Sequence, residues 1–262
     1  MKILVSIKEV AELEDSFEIE GFDVDERHLQ YELNEWDDYA LEEAVTLREE
    51  HDDVEVIAVT IGPERAEETI RMVLAKGADR AIRVWDDALA ERNHIDLSTK
   101  AAILAAVVKE EEPDLVLTGV QAADDSNSAT GVALATRIGF EWAAVVNDLA
   151  VTPDSDVATV HRELEGGMEE IVEVDLPAVF TIQTGINEPR YASLRGIRQA
   201  QRKPIDVTQL DALSMDIEGS GIELTALFEP EAESEATIWE GDAEATAESL
   251  ATLLRDKGVT EA

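Results

Sequence analysis

The chain of 262 residues contains no cysteine and only four histidines. Without cysteine there can be no disulfide bond, thiolate zinc site, iron–sulfur ligation or cysteine nucleophile. Four histidines argue against a histidine-rich metal site, so we predict no metal ion. No run of about 18 apolar residues is present, as a membrane-spanning helix requires. The N-terminal stretch MKILVSIKEV is interrupted too early, by Lys8 and Glu9, for a signal peptide. These absences predict a cytoplasmic protein.

Positive charge is also scarce. Lys and Arg number 21 against 60 Asp and Glu, and the formal net charge is -39. Such a surface repels phosphate backbones and anionic lipid. We therefore predict that the chain does not bind nucleic acid and does not insert directly into a membrane. An acid-rich composition with seven Lys against 14 Arg is typical of a very salty cytoplasm, where screening weakens self-repulsion, and predicts a halophilic source. High charge can also indicate disorder, but 45% of the residues are hydrophobic and they recur in periodic segments.

Apolar runs of strand length alternate with segments of helical periodicity in the first half of the chain. This alternation predicts a doubly wound α/β fold with a mostly parallel sheet of nucleotide-binding type, covered by helices on both faces. The predicted strands cover residues 2–7, 54–62, 80–85 and 114–118, and the predicted helices cover 36–51, 63–75, 97–111 and 128–139.

The pattern changes after residue 145. Short strand-like runs separated by turns, LAVTP, VATVHREL, EEIVEVDLP and AVFTIQ, predict a short antiparallel extension. We assign residues 1–225 to the α/β domain and 226–262 to a C-terminal arm, an acidic linker followed by a helix over 245–258. Leucines share one face of that helix, which either packs on its own domain or reaches a partner subunit.

The segment GVQAADDSNSATG, residues 119–131, follows a predicted strand and opens a helix. Ligands of open α/β sheets bind beyond the carboxyl ends of the strands, and backbone amides at a helix N-terminus can hold a phosphate. The segment is neither a P-loop nor a dinucleotide fingerprint, and an ordinary strand–helix turn is the alternative. Residues 6–8, 61–63 and 34–37 are expected at the same edge of the sheet, which favours a nucleotide site.

Residues 190–203 form a basic segment in this acidic chain. They contain four Arg and one Lys but no Asp or Glu. Leu194 lies among these cations without a helical stripe around it, which favours an apolar anchor for a partner protein. A buried leucine beside a solvated basic face is the alternative.

The segment HRELEGGMEE, residues 161–170, predicts a β-hairpin that turns at Gly166 and Gly167. Glu163 in its first strand reads as an ordinary surface carboxylate. No arrangement of a catalytic triad is present, and paired carboxylates carry little information in a chain with 60 acids. We therefore predict no catalytic residue.

Taken together, these segments resemble the beta subunit of electron transfer flavoprotein. The resemblance covers nearly the whole chain. It rests on KILVSIKEV, LNEWDDYALEEAVTLRE, VIAVTIGPERAEETIRMVLAKGADRAIRV, DLVLTGVQAADDSNSATG, REL with GG-ME, and LPAVFTIQTGINEPRYASLRGIRQAQRKPI. The last segment is long and the most characteristic of the family, whereas the fold alone would carry little weight.

The resemblance implies an electron carrier rather than an enzyme, with a fold of adenine nucleotide alpha hydrolase-like type. It implies a heterodimer with an alpha subunit that holds most of a shared FAD, while this chain binds a structural AMP. The implied cofactor-binding residues are Ser6, Asn34, Glu35, Trp36, Asp37, Ile61, Gly119, Val120, Gln121, Ala122, Ala123, Asp124, Asp125, Ser126, Asn127, Ser128, Ala129 and Thr130.

The resemblance also implies partners that exchange electrons. These are flavin dehydrogenases of acyl-CoA type as donors and a membrane quinone reductase as acceptor. Glu163 matches a carboxylate near the flavin domain of the alpha subunit. The terminal helix would then pack on that subunit. The residues implied to bind dehydrogenases lie in the recognition segment near 187–205 and are Arg190, Tyr191, Leu194, Arg195 and Ile197.

Three alternatives remain. A bifurcating form of the beta subunit would hold a second FAD in place of AMP. A stand-alone nucleotide-binding stress or regulatory protein of the same fold would leave the basic segment and the terminal helix unexplained. An adenylate-processing enzyme would need a catalytic constellation that the sequence does not show.

Overall fold

We describe the protein from a computed structural model that covers residues 1–14, 17–92, 94–215, 222–229 and 236–259. Thirteen strands lie in this described part of the chain. Their bounds are β1 Lys2–Ser6, β2 Glu9–Leu13, β3 Ile19–Glu20, β4 Asp23–Val24, β5 Leu29–Leu33, β6 Glu55–Ile61, β7 Arg80–Val84, β8 Leu115–Gly119, β9 Glu141–Ala150, β10 Val157–Leu164, β11 Met168–Asp175, β12 Ala178–Ile182 and β13 Ile205–Thr208.

The α-helices of the described residues surround the sheet or lie in the C-terminal segment. Their bounds are α1 Glu35–Glu50, α2 Glu67–Lys76, α3 Asp87–Ala90, α4 Leu97–Glu111, α5 Thr130–Ile138, α6 Leu194–Ala200 and α7 Ala243–Asp256. By contact the chain divides into two units, Met1–Leu227 and Phe228–Ala262.

The first unit is built on a nine-stranded sheet with the order β11-β10-β9-β12-β8-β1-β6-β7-β13. Strand β1 lies between β6 and β8 and is parallel to both. Ile3 and Val5 belong to the apolar cluster that includes α1 and α2, whereas Leu4 belongs to the cluster that includes α4 and α5. Because side chains alternate between the faces of a strand, both faces of the sheet are covered. The predicted doubly wound α/β fold is therefore confirmed.

The antiparallel extension consists of β9, β10 and β11, paired in that order. The prediction was wrong in one respect, because it placed AVFTIQ in this extension. Strand β12 instead lies between β8 and β9 and is parallel to both. All five of its residues are buried, which is the reason for its continuous apolar run. The predicted hairpin at Gly166 and Gly167 is confirmed, since β10 and β11 pair through it.

Several short elements were not predicted. No strand or helix was predicted between residues 8 and 35, but this part of the chain contributes to the antiparallel pair β2–β5 and to the two-residue pair β3–β4. Helix α6 begins at Leu194, where the sequence showed no helical stripe. Strand β13 adds a parallel edge beside β7. These elements are short and mostly exposed, so tertiary contacts rather than a hydrophobic period decide their conformation.

The second unit contains helix α7. Asp242 caps it by accepting a hydrogen bond from the N–H of Ala245 at 2.9 Å. None of its residues is buried, and Leu250 is exposed. The predicted acidic linker lies partly outside the described residues, at 230–235. Packing of this helix on a partner subunit stays a prediction.

Candidate functional site

A cleft lies at the carboxyl ends of β1, β6 and β8. The cleft is partly open to solvent, and it is lined by the loops after these three strands and by residues of α1, α4 and α5. Strand β1 is the topological switch point of this sheet, because its neighbours β6 and β8 are reached on opposite sides. Open α/β sheets bind ligands at this point.

Most of the residues implied to bind a nucleotide line this cleft. Those that do are Ser6, Asn34, Asp37, Ile61, Gly119, Val120, Gln121, Ala122, Asp125, Asn127, Ser128 and Thr130. The other implied residues lie in the segments 34–37 and 119–130 but are not part of the lining. They are Glu35, Trp36, Ala123, Asp124, Ser126 and Ala129.

Asn34 fixes the loop that follows β8. The side chain is 1% exposed and precedes α1, but it makes no capping bond to that helix. Its Nδ2 donates to the carbonyl of Gln121 at 2.8 Å, and its Oδ1 accepts from the N–H of Ala123 at 3.2 Å. A buried amide that satisfies both a carbonyl and an N–H holds the loop in one conformation.

Asp37 joins the loops after β1 and β8. One carboxylate oxygen accepts from the N–H of Gly119 at 2.9 Å and the other accepts from the N–H of Lys8 at 2.8 Å. Burial raises the pKa of Asp37 to about 7, against the lowering effect of these two hydrogen bonds. The carboxylate of Asp37 therefore organises the cleft wall, with both oxygens engaged by the protein itself.

Replacing Asp37 by Asn is expected to change how stability depends on pH. The folded-state pKa of about 7 lies above that of an unfolded aspartate, about 3.9, so the contribution of Asp37 to stability falls as the pH rises through this interval. The free energy of unfolding of the wild type minus that of Asp37→Asn should therefore decrease between pH 4.5 and 7.5 in urea titrations. A difference that stays constant or increases with pH would contradict this assignment.

Two lysines of the cleft were missed as site residues. Lys8 Nζ lies 2.5 Å from a carboxylate oxygen of Asp124 and 3.0 Å from one of Asp125, and Lys100 Nζ also pairs with Asp125. Although burial alone would raise it, the pKa of Asp125 is lowered by Lys100 and then by Lys8. Lys8 lies two residues after the end of β1 and could have been found from that position. Lys100 lies inside α4, where the sequence gives no signal.

The remaining wall of the cleft combines apolar side chains with the backbone of the loop. Its apolar residues include Ile7, Ile61, Ile95 and Leu104. Ser126 and Ser128 have φ angles of 47° and 49°, a conformation that non-glycine residues rarely adopt and that is often found at functional sites. A planar base could lie on this apolar wall while the loop provides polar groups.

Glycine is required where α5 begins. A Cβ on Gly131 would lie 2.7 Å from Thr118 Oγ1 and 2.6 Å from Thr181 Cγ2. The absence of a side chain therefore lets α5 approach β8 and β12 closely. Ala129, the residue before this helix, has no side-chain oxygen to accept from the first-turn N–H groups. These N–H groups are oriented as donors for an anion.

The recognition segment forms a second candidate site. Tyr191 is 98% exposed and Leu194 is 78% exposed, while Ile197 and Arg195 are also exposed. Arg190 differs from these four, because its guanidinium forms ion pairs with Glu42 and Glu49 of α1.

Helix α6 is attached firmly to α2. A Cβ on Gly196 would lie 2.3 Å from the carbonyl oxygen of Ala75. Arg71 donates to the carbonyls of Ala200 and Lys203 at 2.7 and 2.8 Å. In return, Lys203 donates to the carbonyls of Leu74 and Ala78 at the end of α2. These contacts with α2 fix the backbone that carries the exposed side chains of Leu194, Arg195 and Ile197.

Glu163 lies on β10 and is exposed. Its register partner on β11 is Glu169, which contacts His161 Nε2 at 3.1 Å. No cluster of three or more metal-ligating side chains occurs among the described residues. No helix in the described part of the chain has the length and hydrophobicity needed to cross a bilayer.

The fold and the cleft define the class of this protein, a doubly wound α/β domain with a ligand cleft at the switch point of its sheet. The family model of the electron transfer flavoprotein domain matches residues 22–213. The chain therefore belongs to the electron transfer flavoprotein family.

Three relatives illustrate this membership. The electron transfer flavoprotein subunit beta of Methylophilus methylotrophus is 51% identical over 224 residues, 84% of each chain. The mitochondrial subunit beta of Arabidopsis thaliana is 39% identical over 233 residues, 88% of this chain and 90% of the relative. The subunit beta of Bacillus subtilis is 32% identical over 260 residues, 98% of both chains.

Proposed function

We propose that this chain is the beta subunit of a heterodimeric electron transfer flavoprotein, which carries electrons from acyl-CoA-type dehydrogenases to a membrane quinone reductase. Its family membership supports this function most directly. The chain itself acts as an electron-carrier subunit without catalytic residues. It provides a structural nucleotide site, a docking segment for dehydrogenases and a base for the alpha subunit.

The cleft fits AMP. Its apolar wall suits an adenine ring, and the loop backbone with the N-terminus of α5 suits a phosphate. Lys8 and Lys100 already pair with Asp124 and Asp125, so these four side chains add no net positive charge. This balance favours a monophosphate over the two phosphates of a second FAD, because little positive charge is left to offset further phosphate groups. Each lysine still has further N–H donors for one phosphate.

The FAD lies at the interface with the alpha subunit, which holds most of it. When bound, FAD supplies the transfer of one or two electrons between donor and acceptor. The exposed carboxylate of Glu163 is then available to contact the flavin domain of the alpha subunit. Helix α7, which buries none of its residues, packs on the alpha subunit in this proposal.

The dehydrogenases dock on the recognition segment, with Leu194 as the anchor. An exposed leucine surrounded by arginines offers an apolar contact inside a polar rim, the arrangement of an interface hot spot. The surrounding acidity of the chain, with a net charge of -39, is explained by a halophilic source and a location in a salty cytoplasm.

Purification of the complex from its native cells in multimolar KCl tests this proposal. We expect a second polypeptide, a flavin absorption spectrum, and release of one FAD and one AMP per complex. We also expect the complex to dissociate in low salt. Two FAD molecules per complex would contradict the AMP assignment and favour the bifurcating form. A lone chain that carries only ATP would contradict both and favour a regulatory protein.

A further inference from the structure

The segment before the docking residues is bound to helix α1 by Arg190, whose side chain forms ion pairs with Glu42 and Glu49. We propose that Arg190 is a positioning residue: it holds Tyr191 and Leu194 in the docking orientation through Glu42 and Glu49, and does not itself bind the dehydrogenase. This inference rests on the proposed docking function and assigns Arg190 a role different from that of its neighbours.

The contacts of Arg190 with Glu42 and Glu49 engage the whole guanidinium. Nε and Nη2 donate to the two oxygens of Glu42 at 2.8 and 2.9 Å. Nη1 and Nη2 donate to the two oxygens of Glu49 at 2.6 and 3.0 Å. The backbone N–H of Arg190 also donates to Glu42 at 3.1 Å. Residues seven positions apart lie on one face of a helix, so the arginine bridges two turns of α1.

The environment of this bridge makes it strong. The Glu42 side chain is only 11% exposed, so loss of its partner would leave a largely buried carboxylate unpaired. The hydrogen bonds from Arg190 hold the pKa of Glu49 below its usual range, and those to Glu42 and then Glu49 raise the pKa of Arg190. Bidentate arginine–carboxylate pairs also fix orientation, because both groups are planar.

A second contact supports the same segment. Nδ2 of Asn187 donates to the carbonyl of Tyr39 at 3.1 Å and to Glu43 at 3.0 Å. Residues 187–190 are thus attached to α1 at two points, immediately before the exposed Tyr191. On the other side of the anchor, Gly196 packs on α2. The anchor is held between two helices, and Arg190 provides the stronger of the two attachments to α1.

The other arginines of the segment differ from Arg190. Within the described residues, no hydrogen bond or ion pair involves the side chains of Arg195 and Arg198, and both residues are exposed. These two are available to a partner. Two carboxylates already neutralise the charge of Arg190. Arg190 therefore does not contribute by attracting a partner directly.

Steady-state kinetics of the complete complex with an acyl-CoA dehydrogenase from the same cells test this assignment. We expect Arg190→Gln to raise the KM for the complex about tenfold with kcat within about twofold. We expect Glu42→Gln to raise KM in the same way. The variant that combines Arg190→Gln with Glu42→Gln should have a KM no higher than either single variant, because each of the three variants removes the same bridge. The KM of Arg190→Lys should lie between that of the wild type and that of Arg190→Gln. Lysine keeps the positive charge, but one ammonium cannot bridge both carboxylates as a guanidinium does.

The control is Arg198→Gln, which removes an exposed arginine that makes no bond to α1. In the multimolar KCl that the complex requires, an exposed charge is screened, so the KM of Arg198→Gln should stay within about twofold of the wild-type value. If Arg190 touched the dehydrogenase, Glu42→Gln would leave KM unchanged while Arg190→Gln raised it, and the assignment would be overturned. FAD content and circular dichroism report folding, and Glu49→Gln, at a more exposed carboxylate, should raise KM even if Glu42→Gln does not fold.

Leu194→Ala separates this inference from the docking function on which it rests. An unchanged KM in Leu194→Ala overturns the docking function itself. A raised KM in Leu194→Ala, together with an unchanged KM in folded Arg190→Gln and Glu49→Gln, overturns only the positioning role of Arg190.

Discussion

Replacing Leu194 by Ala is expected to raise the KM of an acyl-CoA dehydrogenase for the complex about 30-fold. The FAD and AMP content of the complex should stay unchanged. The side chain is 78% exposed, so its removal costs the isolated chain little packing. An anchor at the centre of an interface contributes about 2 kcal/mol or more when truncated, which corresponds to about 30-fold in affinity. Steady-state kinetics of the dehydrogenase at varied concentration of the complex measure this change.

A matched control separates docking from a general effect of lost apolar surface. Val207 on β13 is also exposed, at 56%, but it lies outside the recognition segment. Val207→Ala should leave the dehydrogenase kinetics unchanged. Equal kinetics for Leu194→Ala and the wild type would refute the anchor role.

Replacing Asn34 by Ala is expected to remove AMP from the complex and to destabilise the chain. The substitution leaves the carbonyl of Gln121 and the N–H of Ala123 without their partner. Both groups are part-buried, so each costs toward the lower end of about 1–3 kcal/mol when it loses its partner, and the loop on the proposed phosphate side of the cleft is held less firmly. The AMP content after gel filtration should fall at least tenfold, and the unfolding temperature should also fall.

Asn34→Asp provides a second variant for this prediction. Its buried carboxylate would face the carbonyl oxygen of Gln121 instead of donating to it. We expect AMP retention no higher than that of Asn34→Ala. Full AMP retention in Asn34→Ala would contradict the assignment of this cleft as the nucleotide site.

Much of the fold could be predicted from the sequence because buried parallel strands leave a strong pattern. The run KILVSI alternates between two buried faces, and its apolar residues show this directly. Helix α4 was predicted at 97–111 and observed at Leu97–Glu111, since its apolar positions repeat and Asp96 caps it. The position of β12 could not be predicted, because an apolar run indicates burial but not which strands lie beside it.

The candidate site was predictable where it depends on topology and not where it depends on individual contacts. Loops after parallel strands meet at one edge of the sheet, which placed Ser6, Ile61 and Gly119 together. The roles of Asn34 and Asp37 inside the wall could not be inferred, because Asn before a helix usually caps it and Asp in a first turn usually interacts with the helix dipole. Helix α6 is fixed by contacts with α2 that are distant in sequence.

Electron transfer through the complex tests the central claim most directly. The complex of this chain with its alpha subunit is mixed under anaerobic conditions with an acyl-CoA dehydrogenase and its acyl-CoA, in multimolar KCl. We predict that the flavin absorbance of the complex bleaches, and that membranes containing the quinone reductase restore it. A complex with full FAD content that neither bleaches nor recovers would contradict the account.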